Sequence, residues 1–337
     1  MKIKLVHNYE DLISIDNLLL AWQEFIKGKR NKKDVQIFSF NLMDNILLLY
    51  EDLKNRTYKH GGYQQFMIND PKPRIIHKAS ARDRLLHHAV YRILYPFFDK
   101  TFIADSFSCR NNKGTHKAIS RFRAFGRIVS KNNTKTCWVL KCDIRKFFAS
   151  IGQKILINIL EQRMPDKDVV SLLKEIIVSF KPNGLPLGNL TSQLFANVYL
   201  NELDQFTKHK LKAKYYIRYA DDFVIFSENK NYLEKMVLDV GHFLENNLKL
   251  QFHSDKVFIK TLYSGVDFLG WVNFADHRVL RSKTKNRILK RMKDNLSIET
   301  SNSCLGFLRH GNTHKLKEII LDLYSVQATE HSLQSIN

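Results

Sequence analysis

The 337-residue chain is short of acid: 33 Asp and Glu stand against 54 Lys and Arg, giving a formal charge of +21 and a sequence pI near 9.7. That imbalance exceeds what solubility alone asks and points to a polyanionic partner. Each phosphate neutralised by Lys or Arg releases condensed counterions, so basic surface converts into nucleic-acid affinity. An anionic membrane surface would attract such a chain too, and nucleic acid is the favoured reading of the two. Cysteine is scarce, and Cys109, Cys137, Cys142 and Cys304 form neither a CxxC pair nor a set with histidine at zinc-ligand spacing. Neither a structural zinc site nor a disulfide framework is therefore indicated, and reduced buried thiols are expected. No run reaches the roughly 18 apolar residues of a membrane span, and the opening residues from Met1 to Asp11 hold no signal-peptide core. A cytoplasmic protein with no membrane partner is expected. Internal repeats, low-complexity tracts and Gly/Ser linkers are absent, so subdomains must pack closely. What is present suffices for a core: 44 % of residues are hydrophobic and 12 % aromatic, and the length carries a soft prior of about two domains.

Helical spacing of Leu12, Ile15, Leu18, Leu19 and Trp22 predicts a helix over 10–28, and Leu42, Ile46, Leu47 and Tyr50 predict another over 40–55, with the basic loop Lys27–Lys33 between them. In 68–76, prolines bracket Lys72 and force an extended or turn conformation, followed by a helix from Ala81 to Phe98. Residues 136–143 are rich in strand formers and end on Asp143. Helices are expected at 153–163 and 166–180, then a breaker-dense loop over 182–189 and a long helix over 190–212. Tyr215–Phe226 reads as two short strands with Asp221 and Asp222 at the hairpin tip; a helix over 231–248 and strands over 257–260 and 266–272 follow. The segment from Arg281 is basic and helical in parts, with Lys283, Lys285, Arg287, Lys290, Arg291 and Lys293.

Carboxylates at neighbouring strand ends suit one chemistry well. Joining a nucleotide to a primer uses two metal ions about 3.5–4 Å apart, one activating the primer hydroxyl and one bearing the triphosphate. Magnesium prefers hard oxygen donors and keeps several waters, so a few Asp residues suffice. Asp143, Asp221 and Asp222 fit that need, although an isolated Asp-Asp pair in a turn is more often plain turn chemistry. Strand alternation implies that only one of the hairpin pair faces Asp143, with Asp221 as the direct ligand and Asp222 in support.

At this point the chain resembles the reverse transcriptases, over roughly residues 60–275. Tyr219-Ala-Asp-Asp222 is similar to the Tyr-x-Asp-Asp box of that family, and Lys141–Phe148 resembles the motif carrying its first metal aspartate. The resemblance implies magnesium, two ions with manganese able to substitute, held by Asp143, Ile144, Asp221 and Asp222. It makes Phe148 the aromatic gate that excludes a ribose 2′-hydroxyl. Lys72-Pro-Arg-Ile-Ile76 resembles the fingers segment on the triphosphate, implicating Arg74, Lys72 and Arg84; the planar fork of Arg suits phosphate. Gln251–Lys256 resembles the motif whose lysine, here Lys256, protonates the pyrophosphate leaving group. Val266–Trp271 resembles the primer grip, built from Phe268, Leu269, Gly270 and Trp271, with Gly270 allowing close backbone approach. The implied fold is α+β: a right hand with an antiparallel-sheet palm, fingers and a short helical thumb. Its segments would be a helical N-terminal extension (1–60), fingers and palm (61–275) and thumb (276–337). RNA template, DNA or RNA primer and deoxynucleoside triphosphates are the implied partners.

The loop Gly184-Leu-Pro-Leu-Gly-Asn-Leu-Thr-Ser-Gln193 discriminates further. Retroviral and group II intron enzymes usually place Gln before the glycine and Ser-Pro after it; here Leu187 precedes Gly188, and Gln193 closes the run. This form resembles the reverse transcriptases of diversity-generating retroelements, as does Asp105–His116. That resemblance implies error-prone copying of a template-repeat RNA opposite adenines, cDNA that rewrites a variable gene, and a small basic pentameric accessory protein as partner. The Tyr-Ala-Asp-Asp form is commoner in group II intron and retron enzymes, so group II-like, retron and antiviral-defence enzymes stay open. Against group II enzymes, the chain shows no endonuclease metal cluster and little room for a maturase domain. An RNA-binding protein on a polymerase scaffold and a basic nuclease are the remaining rivals. The intact acids argue against the first, and the second explains neither Phe148 nor the glycine loop.

Overall fold

The computed structural model describes residues 3–69, 72–294 and 297–322. Asp70 and Pro71 of the expected extended segment, and 323–337 of the expected thumb, lie outside the described residues. Four helices come first: α1 (Tyr9–Ile13), α2 (Ile15–Phe25), α3 (Lys33–Phe40) and α4 (Leu42–Lys54). Asn8 and Ser14 cap α1 and α2 by accepting from the main-chain N–H three residues on, which fixes where each helix starts. The basic loop of the sequence reading is shorter than expected, because α3 begins at its last lysine; Val35 and Phe38 give α3 a buried side.

β1 (Tyr63–Ile68) and β2 (Arg74–Ala79) form an antiparallel hairpin where the sequence predicts only an extended or turn segment. Ser80 then caps α5 (Ala81–Asp99), and α6 (Thr115–Val129) follows, a helix the sequence reading did not identify. The chain continues through β3 (Trp138–Asp143), α7 (Phe147–Ser150), α8 (Gln153–Glu161), α9 (Lys167–Val178) and α10 (Leu190–Gln205). α10 ends earlier than expected, in a wider π turn over Phe206–Lys210 where Phe206 stacks on Phe243 at 4.2 Å. β4 (Tyr216–Tyr219), β5 (Asp222–Ser227), α11 (Lys230–Asn247), β6 (Phe258–Thr261), β7 (Val266–Phe268), β8 (Trp271–Asn273), β9 (Arg278–Leu280), α12 (Ser282–Asp294) and α13 (Ile298–Leu308) complete the order.

The central sheet runs β4-β5-β3-β6, with every pairing antiparallel. Successive strand residues point to opposite faces, and both faces are covered, so its strands are mostly apolar, with Lys141 and Arg218 as buried exceptions. Leu140, Cys142, Phe223 and Ile225 join the main core, which extends through α2, α5 and α8–α11. Val139, Ile217, Val224 and Phe226 meet Ala118, Phe122, Phe125 and Val129 of α6 in a second core. Each fully buried Val, Leu, Ile or Phe among them contributes about 1.5–3 kcal/mol relative to exposure. α10 is buried nearly all round, as suits a helix behind a sheet. A third cluster holds Ile288, Met292, Cys304, Leu308, Leu316 and Ile320 together beside the β7-β8-β9 sheet. There, Trp271 is fully buried, 5.2 Å from Phe307, and a Cβ on Gly311 would lie 2.1 Å from its ring. All four cysteines are free; Cys109, expected to be buried, is exposed.

Candidate active site

β3 and β5 place Asp143 directly opposite Asp222 in the ladder. Tyr219 pairs with Asp222, so Ala220 and Asp221 form a two-residue turn, with Ala220 at a φ of 54° as such tight turns require. The main-chain N–H of Ile144 donates to the Asp221 carbonyl at 3.2 Å, stitching this turn to the end of β3. The alternation argument from sequence needs correcting here: Asp222 is the cross-strand partner of Asp143, and Asp221 lies in the turn, where alternation does not govern. Asp143 thus has both neighbours beside it.

Two lysines answer the acids. Lys256 donates from Nζ to Asp143 Oδ1 at 2.9 Å. Lys141, its side chain only 6 % exposed, brings Nζ to 3.1 Å from Asp222 Oδ1, but that oxygen receives no hydrogen bond of acceptable geometry. Burial pushes the Asp222 carboxyl up to about 7; Lys141 opposes this, and Asp143 and Asp221 add to it. Burial also raises Asp221, opposed by its own main-chain hydrogen bond and, more weakly, by Lys256 and Arg74, while Asp143 reinforces the rise. Crowded carboxylates with an incompletely bonded buried oxygen are a donor set that a hard divalent cation would relieve. Among the described residues they do not converge into a ready cluster of three metal donors. Asp143 is engaged by Lys256 and Asp222 is faced by Lys141. Asp143, Asp221 and Asp222 are the side chains that could hold a divalent cation; Ile144 is buried and apolar, so only its main chain could take part.

Sequence reasoning missed what braces the hairpin. Arg218, fully buried on β4, grips Asp204 of α10 through Nε to Oδ1 and Nη2 to Oδ2, both at 2.7 Å. Its remaining donors reach Asn197 Oδ1 at 3.2 Å, the Ala220 carbonyl at 3.1 Å and Ser106 Oγ at 3.1 Å. Tyr216 donates to Asp204 Oδ1 at 2.8 Å. The acidic turn therefore rests on a desolvated guanidinium whose donors are satisfied. The available signal was a lone arginine inside an apolar strand.

The remaining expected residues divide. Arg74 begins β2 and is close enough to Asp221 to lower its pKa; Lys72 is exposed just before it. Arg84 has partners of its own: its guanidinium pairs with Asp34, which also binds Lys78 at 2.7 Å, and lies 4.9 Å over the Phe25 ring. Phe148 packs on the main core, and its carbonyl accepts from Leu185 N at 2.8 Å. The glycine loop joins fingers to palm. His77 N donates to the Leu187 carbonyl at 2.8 Å, and Asn189 Nδ2 to the His77 carbonyl at 3.0 Å. Gly184, at a φ of 82°, leaves no room for a Cβ, which would stand 2.6 Å from the Phe148 carbonyl oxygen. Gly188 and Gln193 line a cavity of about 310 Å³ together with Phe66, Lys78 and Arg84. In the expected primer grip, Leu269 and Gly270 form the turn of the β7–β8 hairpin at φ values of 53° and 86°, flanked by Phe268 and Trp271.

Residues 58–273 match the family model described as reverse transcriptase (RNA-dependent DNA polymerase). The chain is 24 % identical over 245 residues to Protein YkfC of Escherichia coli, covering 60 % of this chain and 62 % of that protein. It is 24 % identical over 329 residues to the group II intron-encoded protein LtrA of Lactococcus lactis, covering 75 % of this chain and 53 % of that one. The telomerase structure from Candida albicans, in complex with a fragment of telomeric RNA, superposes with a TM-score of 0.56 at 11 % identity, over 82 % of this chain and 57 % of that one. This likeness bears on fold, and the α+β architecture with antiparallel sheets agrees with the right hand expected from sequence. The chain spans less than two thirds of the length of each of these three proteins. Among the described residues, no helix is long and apolar enough to cross a membrane.

Proposed function

The chain belongs to the reverse transcriptase family, and from that premise we propose that it is an RNA-directed DNA polymerase whose working centre is Asp143, Asp221 and Asp222. The observation that carries this is the ladder pairing of Asp143 with Asp222, with Asp221 in the connecting turn. Bound magnesium would activate the primer hydroxyl and neutralise the triphosphate. The protein's own groups have distinct tasks in this reading. The carboxylates bind the cation, Arg74 and Lys72 meet the triphosphate, Phe148 excludes a 2′-hydroxyl, and Lys256, already on Asp143, delivers a proton to the leaving pyrophosphate. The Leu269–Gly270 turn holds the primer end. Arg84, paired with Asp34 and lining the cavity beside Gly188 and Gln193, is the third cation assigned to the triphosphate.

For the template we propose a template-repeat RNA copied with errors opposite adenine, as in diversity-generating retroelements, with a small basic pentameric protein as partner in the cytoplasm. Support comes from the Leu187–Gln193 loop and its position between fingers and palm. Leu187 offers only its main chain to hydrogen bonding there, and a lost polar positioning contact changes discrimination by about 1–3 kcal/mol. A group II-like role is the second reading, favoured by the intron-encoded relative. One experiment separates the two: cDNA from an adenine-rich RNA template is sequenced for the native chain and for Leu187→Gln. Frequent misincorporation opposite adenine that falls in the variant supports the first reading, and accurate copying by the native chain supports the second.

A further inference from the structure

We propose that a crevice where α6, the β8–β9 connection and the turn after α13 meet is a second nucleic-acid site, holding one phosphate-bearing nucleotide of a single-stranded RNA outside the aspartate centre. The cavity measures about 300 Å³, and none of Asp143, Asp221, Asp222, Lys72 and Arg74 lines it. Its volume sits at the lower end of the usual range for ligand pockets, about 300–1,000 Å³.

Charge identifies the ligand class. Arg123 arrives from α6, Arg278 from β9 and Arg309 from beyond α13, with His277 and His310 beside them. The lining contains one carboxylate, Asp276, and it is bonded to His277 Nδ1 at 2.7 Å. Among the described residues, no ion pair joins any of the three arginines to an acid. Cations gathered from three separate segments with so little acid between them are arranged for a phosphate, which Arg can meet with two parallel hydrogen bonds.

The site is also built in advance. Arg278 Nε donates to the His310 carbonyl, Asn312 N donates to the Arg278 carbonyl at 2.9 Å, and the Arg278 guanidinium lies 5.7 Å over the Trp271 ring. Arg123 and Arg309 remain exposed. A nucleotide, and not a bare anion, is indicated by the rim. Exposed His277 stacks on Phe274 at 4.7 Å and 8°, leaving its other face for a base; such stacking is worth about 1–3 kcal/mol per base.

The test uses a fluorescent oligouridine RNA of about a dozen nucleotides, titrated into the full chain with an RNA–DNA hybrid saturating the aspartate cleft, in native protein and in the double variant Arg123→Ala with Arg309→Ala. Expected are at least about tenfold weaker binding and a salt dependence shallower by about 0.7 in log–log slope, for one phosphate no longer neutralised. Primer extension on polyriboadenylate stays within about twofold of native, which also reports an intact fold. A 4-thiouridine RNA should crosslink within 273–278 or 309–312. A DNA probe of the same length distinguishes the source of the phosphate: binding weaker than RNA is expected, and equal or tighter binding overturns the RNA assignment. Unchanged RNA affinity in the double variant, extension falling in step with binding, crosslinks only elsewhere, or displacement by polyglutamate as effective as by unlabelled RNA would each overturn the proposal, the last by making the crevice a dock for an acidic protein.

Discussion

Arg218 and Asp204 meet through two hydrogen bonds of 2.7 Å with neither side chain reaching solvent, and the same guanidinium supports the Ala220 carbonyl in the acidic turn. Stripping two charges of water is costly, so a pair of this kind persists only where both partners are present. Its position ties α10, behind the sheet, to the turn that presents Asp221.

Removing one partner should therefore be severe. Arg218→Met is expected to cost about 3–5 kcal/mol in urea unfolding, and Arg218→Met combined with Asp204→Leu less than the sum of the single changes. The milder Asp204→Asn should lower kcat more than it raises KM. A loss no larger than that of a surface substitution would contradict this account.

Asp143→Asn and Asp221→Asn are each expected to reduce primer extension by at least about 100-fold, equivalent to about 2.7 kcal/mol. Binding of template–primer should survive, measured by anisotropy on the same samples. Extension that persists would place the chemistry elsewhere.

Asp222 supplies a pH prediction. Its carboxyl is raised by burial to about 7, against about 3.9 in an unfolded chain. The folded state thus holds this proton more tightly, and the stabilising contribution, complete below the unfolded value, is lost as pH rises through about 7. In chelator, Asp222→Asn should raise the melting temperature at about pH 8 and change it little at about pH 4. Magnesium should narrow the gap at the higher pH. Equal shifts at both pH values would refute the assignment.

Gly184→Ala must move either the loop or α7, because the added Cβ meets the Phe148 carbonyl and Ala149. A loss of about 1–3 kcal/mol in thermal unfolding is expected, accompanied by greater ribonucleotide incorporation as Phe148 shifts. Phe148→Ala should raise ribonucleotide incorporation by at least about tenfold. Selectivity unchanged from the native chain in Phe148→Ala would remove Phe148 from sugar discrimination.

Much of the palm was legible because its signals are local. β3 ends on its acid, the strands around Asp221 and Asp222 are short and apolar, and α8 to α11 carry clear helical spacing. α6 was missed although Ala118, Ile119, Phe122 and Phe125 follow helical spacing, because it starts at Gly114 with no capping side chain to mark it. The fingers hairpin was hidden by its prolines, which disguised β2 as a turn. Lys141 and Arg218 were overlooked as partners of the acids because their significance is tertiary: each looks like a stray charge until the sheet and α10 bring its acid to it. The pairing of Arg84 with Asp34 is of the same kind, invisible until α3 is brought against α5.

The packing of Trp271 beneath Gly311 has a mechanical consequence. A residue with any side chain at 311 would prise the last helices from the hairpin, since the indole already occupies that space. With Arg281 also bonding both Asp267 and the Gly270 carbonyl, the hairpin and the helical end form a single lever. A displacement of the helical end would therefore be carried to the Leu269–Gly270 tip, as a rigid handle moves its point.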